Sequence, residues 1–164
     1  MLERPPDDQR SLVGRLYDCY GASLYRYAVL LLADPVAAED AVQQVFAAIL
    51  RTGVCLDSEA HYLRRAVRNE CYSMLRRGRV RREVIGGEAL IEPVIAGGVE
   101  PAERMALERA IRDLPPEQRE VLHLHAFEGW TFQEIADASE APVNTVAARY
   151  RYALAKLRQT LSSL

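Results

Sequence analysis

A glycine- and proline-rich stretch divides the chain into two halves that each repeat apolar residues at a helical period. Between residues 84 and 101 no helical period is visible, and the stretch contains Gly86, Gly87, Pro93, Gly97, Gly98 and Pro101. Glycine and proline both interrupt regular structure, so a flexible linker is predicted there. Strand patterns are nearly absent on both sides of it. The sequence therefore predicts an all-α fold of two small helical domains, residues 1–83 and 103–164, joined by a linker at 84–102.

Three helices are predicted in the first half. The first is indicated by apolar residues three to four positions apart: Leu12, Leu16, Tyr20, Leu24, Tyr27 and Leu31. Asp34 as N-cap and Pro35 at the first helical position begin a second helix, which Gly53 ends. Ser58 is placed to cap a third helix that runs toward Arg82. Its apolar stripe comprises Leu63, Ala66, Val67, Cys71 and Met74.

The second half predicts two helices, near residues 103–112 and 117–127, followed by a helix-turn-helix pattern. Thr131 and Glu134 form a capping box that begins a short helix. After a turn, a longer helix runs from Val143 to near the end of the chain. In a helix-turn-helix, the second helix enters the major groove of DNA.

Positive charge is concentrated in two segments, although the net charge of the chain is only −2. Between His61 and Arg82 there are eight arginines and one acid, Glu70. From Ala141 to the C-terminus there are four basic residues and no acid. Arginine forms forked hydrogen bonds to phosphates and bases, although the codon usage of a GC-rich genome would give the same preference for arginine. Two nucleic-acid-binding faces are therefore predicted.

The third helix has a basic, aromatic face opposite its apolar stripe. It comprises Arg65, Arg68, Asn69, Tyr72, Arg76 and Arg79. Arginines spaced along a helix can follow a phosphate backbone, and Tyr62 or Tyr72 can stack on unpaired bases. A simply solvated face and packed tyrosines are the alternatives. Since Arg68 and Arg76 are both predicted to face solvent, alanine at either is expected to reduce activity far more than folding.

The last helix divides in the same way. Its predicted buried face comprises Val146, Tyr150, Ala153, Leu157 and Leu161. The opposite face comprises Asn144, Ala148, Arg151, Tyr152 and Arg158, with Thr145, Arg149 and Lys156 beside it. Asparagine and arginine at an exposed helix start can read base edges or bind phosphates, although a solvated helix face remains the alternative.

Several function classes are not indicated. No apolar run approaches the roughly 20 residues of a membrane span, and the N-terminus is too charged for a signal peptide, so a cytoplasmic protein is expected. Cys19, Cys55 and Cys71 lie far apart and predict neither a zinc site nor a disulfide framework. His123 and His125 are expected to be partly exposed helix residues. With no phosphate loop and no nucleophile–base pair, neither an enzyme nor a metal or cofactor is predicted.

Most of the chain resembles the extracytoplasmic-function sigma factors of the sigma-70 family. LYRYAVLLLADPVAAEDAVQQVFAAIL resembles their domain 2, and YLRRAVRNECYSMLRR resembles the segment that melts promoters and reads the minus-ten element. LPPEQREVLHLHAFEGWTFQEIADASEAPVNTVAARYRYALAKLR resembles domain 4, which reads the minus-thirty-five element. The resemblance implies a transcription initiation factor that directs core RNA polymerase to promoters.

The resemblance also implies three sets of site residues and three partners. Polymerase β′ clamp contacts are implied for the helix that holds Glu39, Asp40, Gln43, Gln44 and Phe46, and the alternative is an ordinary acidic surface with Phe46 in the core. Minus-ten reading and melting are implied for Tyr62, Arg65, Arg68, Asn69, Tyr72, Arg76 and Arg79. Minus-thirty-five reading is implied for Asn144, Thr145, Ala148, Arg149, Arg151 and Tyr152. The partners are core polymerase, through its β′ clamp helices and β flap, promoter DNA and an anti-sigma factor. Both arginine faces are expected to point outward, and the linker is expected to let the two halves fold against each other or around a partner when polymerase is absent.

Some positions depart from the family pattern. Tyr62 replaces a tryptophan, Ser73 an acid and Glu140 a turn glycine, while Ala147 and Ala148 replace a frequent lysine and serine. Glutamate in the turn costs about 1 kcal/mol if it must adopt positive φ. These departures leave two alternatives open. One is a sigma-like decoy that binds an anti-sigma factor without initiating transcription, and the other is a simple helix-turn-helix repressor.

Overall fold

The computed structural model describes residues 7–53, 58–78 and 100–162. Within these residues the chain forms seven helices and no strand, which confirms the all-α prediction. The helices are α1 (Asp7–Leu32), α2 (Pro35–Thr52), α3 (Glu59–Arg76), α4 (Pro101–Arg112), α5 (Pro116–Ala126), α6 (Phe132–Ser139) and α7 (Val143–Leu161). None of these helices is both long and apolar enough to span a bilayer. The predicted linker lies outside the described residues except for residues 100–102, so the domain boundaries stay a prediction.

The start and end of α2 follow the local signals in the sequence. The Asp34 carboxylate accepts hydrogen bonds from the backbone N–H groups of Val36 and Ala37, at 3.0 and 3.1 Å. At the other end Gly53 has φ 62, and its N–H donates to the Ile49 carbonyl at 3.0 Å. Glycine adopts such positive φ values without strain, which is why it commonly ends helices.

The predicted capping box begins α6. The backbone N–H of Glu134 donates to the Thr131 hydroxyl at 3.2 Å, and the backbone N–H of Thr131 donates to the Glu134 carboxylate at 2.8 Å. After α6, Glu140 has φ 52, so this glutamate does adopt the left-handed conformation that a turn glycine would take without strain. A side chain with a Cβ is strained there.

Two expectations for α3 were wrong. Ser58 precedes the helix, but its side chain makes no capping hydrogen bond. The helix ends at Arg76 instead of continuing toward Arg82, and Gly78 follows with φ 64. The rest of the predicted stretch, from Arg79 to Arg82, lies outside the described residues.

The first three helices pack around a shared apolar core. Helix α1 contacts both α2 and α3, and α2 contacts α3. The predicted stripe of α3 is confirmed, because its apolar side chains are at most 3% exposed at Leu63, Val67, Cys71 and Met74. In the second half, α4, α5 and α7 enclose a smaller cluster that includes Ala110, Ile111, Leu114, Leu122, Ala153 and Leu157.

The two halves lie against each other instead of apart. Leu30 of α1 belongs to the cluster of the second half, while Val121 and Leu124 of α5 belong to the larger core of the first half. The run from Ala28 to Leu32 is buried at every position, because α1 packs against α2, α3 and α5. A helix that is apolar on all sides is one that is covered on all sides. The second half therefore packs on α1, an arrangement that the linker was expected to permit when polymerase is absent.

Candidate nucleic-acid interface

Part of the predicted minus-ten face on α3 is open to solvent. Arg65, Asn69 and Arg76 are exposed, and Tyr62 is 39% exposed. Arg65 pairs with Glu140, whereas no hydrogen bond or ion pair is made by Asn69 or Arg76 within the described chain. These two side chains are available to an anionic or polar ligand. Arg79, predicted with them, lies outside the described residues.

Arg68 and Tyr72, predicted to face solvent, are instead covered by α5. Glu120 of α5 is 1% exposed, and its carboxylate accepts hydrogen bonds from Arg68 Nε at 2.6 Å and from the Tyr72 hydroxyl at 2.9 Å. The hydroxyl of Tyr27 on α1 donates to the same carboxylate at 2.6 Å. The Arg68 guanidinium also lies 4.4 Å from the centroid of the Tyr72 ring. Helical period describes one helix and cannot show what packs on it.

Burial and charge together define this cluster. Burial disfavours a charged Arg68, but the Glu120 carboxylate outweighs it and raises the pKa of Arg68 above its usual value. Burial and then the same carboxylate raise the pKa of the Tyr27 and Tyr72 hydroxyls, which therefore remain protonated donors. Hydrogen bonds to a charged acceptor are strong where water is excluded. One carboxylate from α5 thus satisfies three donors from α1 and α3.

A second group of contacts joins α3 to the end of α5. Arg64 pairs with Glu128 at 2.5 Å, and His123 Nε2 lies 2.9 Å from the same carboxylate. Burial would raise the pKa of Glu128, but the hydrogen bond with His123 and the charge of Arg64 hold it below its usual value. Beside them the His61 ring stacks on Trp130, with centroids 4.4 Å apart.

The two histidines of α5 contact the segment that follows the helix. His123 bonds Glu128, as above, and His125 Nδ1 lies 2.7 Å from the Trp130 carbonyl oxygen. The His125 ring also stacks on Phe132, with centroids 4.2 Å apart. Both rings are partly buried, so they act in packing and hydrogen bonding.

The buried and exposed faces of α7 largely agree with the faces predicted from the sequence. The buried side comprises Val146, Ala153 and Leu157, whereas Tyr150 is half-buried and Leu161 is 39% exposed. On the opposite side the exposed residues are Asn144, Thr145, Arg151, Tyr152 and Arg158. Ala148 and Arg149 are half-buried.

A polar cavity of about 270 Å³ lies where α3, α5 and α7 meet. It is lined by Arg68, Asn69, Tyr72, Arg76, Glu117 and Arg149. Residues of the predicted minus-ten and minus-thirty-five sets, far apart in the sequence, therefore line one cavity. The closed packing of the two halves produces this arrangement.

Helix α2 presents the predicted polymerase-binding face, with one exception. Glu39, Asp40, Gln43 and Gln44 are exposed, and the two glutamine amides donate to the two carboxylates at 3.1 and 3.2 Å. This is the favourable spacing of four residues on a helix. Phe46, predicted with them, is only 5% exposed and packs edge-on against Tyr17, with centroids 5.2 Å apart. Phe46 is therefore a core residue and not part of the exposed face.

The residues of α5 that hold the halves together were not predicted from the sequence. Glu120 lies four residues before buried Leu124, on the same side of the helix. Arg119 is 6% exposed and donates to the Leu31 carbonyl at 3.3 Å, but its Nε and Nη1 have no hydrogen-bond partner in the described chain. Charged residues are rarely buried without partners, so charges on an apolar stripe were the available signal.

No group of three or more histidine, cysteine or acidic residues that could hold a metal occurs among residues 7–53, 58–78 and 100–162. Cys19 and Cys71 are free thiols, exposed and buried respectively, while Cys55 lies outside these ranges. Burial raises the pKa of the Cys71 thiol to about 12. Cys71 therefore acts as a small apolar core residue, as predicted.

Comparison with known proteins gives two family matches that together cover most of the chain. Residues 16–81 match Sigma-70 region 2, and residues 104–157 match Sigma-70, region 4. The ECF RNA polymerase sigma factor SigL of Mycobacterium tuberculosis is 29% identical over 163 residues, covering 95% of this chain and 92% of SigL. The ECF RNA polymerase sigma factor BldN of Streptomyces coelicolor is 27% identical over 169 residues, covering 96% of this chain and 64% of BldN.

A solved structure is similar across both halves. It is the sigma factor RpoE from Bartonella quintana, crystallised in complex with the anti-sigma factor NepR. The TM-score is 0.67 at 23% sequence identity, and the match covers 96% of this chain and 98% of the RpoE chain. At this level of identity the comparison shows a shared fold.

Proposed function

The chain belongs to the sigma-70 family, and we propose that it acts as an extracytoplasmic-function sigma factor that directs core RNA polymerase to promoters. The main support for this proposal is that one chain contains a segment that matches Sigma-70 region 2 followed by a segment that matches Sigma-70, region 4. Each region contains a helix with exposed arginines, α3 in the first and α7 in the second. The proposal includes no catalytic step, metal or cofactor, and it places the protein in the cytoplasm with the polymerase.

Within this proposal α3 reads and melts the minus-ten element. Arg65 and Arg76 contact phosphates, which gives a salt-dependent, sequence-independent share of the affinity. Asn69 contacts a base edge, and exposed Tyr62 stacks on an unpaired base, an interaction worth about 1–3 kcal/mol per base. Arg68, Tyr72 and Arg79 complete the proposed set, although the first two are covered by α5 in this structure.

Helix α7 reads the minus-thirty-five element in the major groove. Arginine pairs in bidentate fashion with guanine and asparagine with adenine, and Arg151 and Asn144 are both exposed for this role. Thr145, Ala148, Arg149 and Tyr152 complete the proposed contacts. On α2 the exposed Glu39, Asp40, Gln43 and Gln44 form the surface proposed to bind the β′ clamp helices, and the β flap is proposed to bind region 4.

Reconstituted transcription tests the proposal. The chain is added to core polymerase with a library of genomic fragments, and we expect transcripts that start at defined promoters and that core polymerase alone does not make. Asp40→Arg should abolish them by reversing charge on the proposed clamp surface. Glu103→Arg makes the same charge change on exposed α4 and should leave them intact. The absence of promoter-dependent transcripts under all conditions would sink the proposal.

The covering of Arg68 and Tyr72 favours one alternative, a sigma-like decoy that binds an anti-sigma factor without initiating transcription. Such a decoy would bind its anti-sigma partner yet give no transcript in the same assay. A simple helix-turn-helix repressor would instead bind an operator tightly without polymerase, and neither Asp40→Arg nor Glu103→Arg would alter that binding.

A further inference from the structure

The polar cavity between α3, α5 and α7 contains arginines whose charge nothing in the described chain neutralises. Arg76 of α3 and Arg149 of α7 both line it, and neither guanidinium makes an ion pair or a hydrogen bond within the described residues. We propose that this cavity binds a small diphosphate anion, either free or as the diphosphate group of a nucleotide. Such a ligand is a small molecule, so this site is separate in function from promoter recognition.

The charges around the cavity leave an excess of positive charge. Its lining includes three arginines and one acid, Glu117. The charge of Arg68 is already compensated, because its Nε donates to the buried Glu120 carboxylate at 2.6 Å. Within the described chain no ion pair joins Glu117 to Arg76 or to Arg149. Two uncompensated guanidinium groups therefore face a single carboxylate, which favours an anionic ligand.

The size of the cavity and its hydrogen-bond donors fit a diphosphate. A volume of about 270 Å³ corresponds to roughly nine water molecules at about 30 Å³ each. That is room for a diphosphate but not for a DNA duplex. The planar guanidinium groups of Arg76 and Arg149 can each donate two parallel hydrogen bonds to phosphate oxygens. The Asn69 amide, which has no hydrogen-bond partner in the described chain, adds a neutral donor.

The start of α5 also lies beside this cavity, and it has two opposite effects. Glu117 is in the first turn of α5, so the cavity adjoins the N-terminal end of that helix. The positive end of the helix dipole favours an anion there. The Glu117 carboxylate opposes an anion, because like charges repel. Neutralising Glu117 should therefore tighten binding, whereas neutralising either uncompensated arginine should weaken it.

Isothermal titration calorimetry of the whole chain tests the site in the absence of polymerase and DNA. With sodium pyrophosphate in about 0.15 M salt, we expect saturable binding of one anion per chain with a dissociation constant below about 1 mM. ADP is titrated in parallel because it carries the same diphosphate group. Tighter binding of ADP would identify a nucleotide as the ligand, and equal or tighter binding of pyrophosphate would identify the free anion. The absence of saturable binding for both would overturn the proposal.

Substitutions show whether the anion binds in this cavity. Arg76→Gln and Arg149→Gln should each weaken pyrophosphate binding about tenfold, because charge-assisted hydrogen bonds are lost. Glu117→Gln should tighten binding about threefold, because a like charge is removed. The matched control is Arg158→Gln, which removes an exposed arginine of α7 outside the cavity and should leave the affinity unchanged. Equal weakening by Arg158→Gln and Arg149→Gln would indicate non-specific attraction and overturn the proposal.

Two further measurements separate a local effect from a change in the fold. If Arg149→Gln loses helical circular dichroism, Arg149→Lys is measured instead. It keeps the charge but loses the fork, so binding should weaken by a smaller factor. In NMR spectra of the parent chain, pyrophosphate should shift the side-chain amide signal of Asn69, which is assigned by its loss in Asn69→Ser. An Asn69 signal that does not move at saturation would place the anion elsewhere and overturn the proposal.

Discussion

The buried pair of Arg68 and Glu120 predicts that alanine at Arg68 destabilises the protein far more than alanine at Arg76. Both arginines lie on one helical face, and their sequence positions alone predicted that alanine would affect activity far more than folding at both. The Arg68 side chain is 14% exposed and its partner Glu120 is 1% exposed. Arg76 is exposed and has no ion-pair partner in the described chain.

The expected magnitude follows from that burial. Removing one partner of a buried ion pair costs about 3–5 kcal/mol, because the remaining charge stays desolvated. Glu120 keeps two hydroxyl donors when Arg68 is removed, so the lower end, about 3 kcal/mol, is expected. Arg76→Ala should change the free energy of unfolding by less than about 0.5 kcal/mol, as is usual for surface substitutions.

Urea unfolding followed at Trp130 provides the assay. Trp130 is the single tryptophan of the chain, and its ring stacks on His61 of α3, so its fluorescence reports the contact between the halves. With a urea slope of about 2 kcal/mol per molar, a loss of 3 kcal/mol lowers the midpoint by about 1.5 M. Helical circular dichroism, recorded in parallel, reports whether the helices melt in the same transition.

Two results would refute this reasoning. Equal midpoints for Arg68→Ala and Arg76→Ala would mean that the pair with Glu120 is not desolvated in solution. Additive effects in a double-mutant cycle with Glu120→Ala would mean that the two side chains do not interact, since contacting residues normally show coupling of at least about 0.5 kcal/mol.

Three further predictions concern other parts of the structure. Ala33, between α1 and α2, has φ 53, a conformation that glycine adopts without strain. Ala33→Gly should therefore raise the free energy of unfolding, measured by urea titration, by about 0.5–1 kcal/mol. An unchanged or lower free energy of unfolding would contradict backbone strain at this residue. Burial alone would raise the pKa of Glu128, but the hydrogen bond with His123 and the charge of Arg64 hold this pKa below 4.5. The ionised carboxylate therefore stabilises the fold above pH 4.5, and this stabilisation is lost as the pH falls through the lower pKa of the folded state. Glu128→Gln should therefore flatten the decline of the thermal midpoint between about pH 5 and pH 3, and an unaltered decline would contradict the pairing. Burial raises the pKa of the Cys71 thiol to about 12, whereas Cys19 is exposed. A thiol reagent at neutral pH should therefore modify Cys19 much faster than Cys71 in the native protein. Equal modification rates would show that Cys71 is not buried.

Local signals account for the parts of the fold that were predicted well. The caps at Asp34 and Thr131 and the helix end at Gly53 depend on residues within a few positions of each other. Such interactions form whatever the rest of the chain does. The buried stripe of α3 was equally predictable, since helical period fixes which side chains share a face.

The errors concern residues whose surroundings come from distant segments. A polymerase contact was implied for Phe46, with a core position as the alternative, and its ring packs against Tyr17 of α1. Arg68 was assigned to an open DNA-binding face but is covered by Glu120 of α5. In both cases the helix was predicted correctly, and only the folded structure shows which neighbours surround the side chain. Helical period shows which side chains share a face of a helix, but it does not show whether that face contacts solvent or another helix.

The sequence by itself determined the helices, their order and the two arginine-bearing faces, because hydrogen bonding and side-chain period within a helix are local properties. Only the tertiary structure decided which of those arginines are accessible. The covering of α3 depends on α5 packing against both α1 and α3, and on one acid, Glu120, reaching donors from both. Burial is a property of the neighbours that a residue acquires on folding, and no local pattern in α3 specifies them.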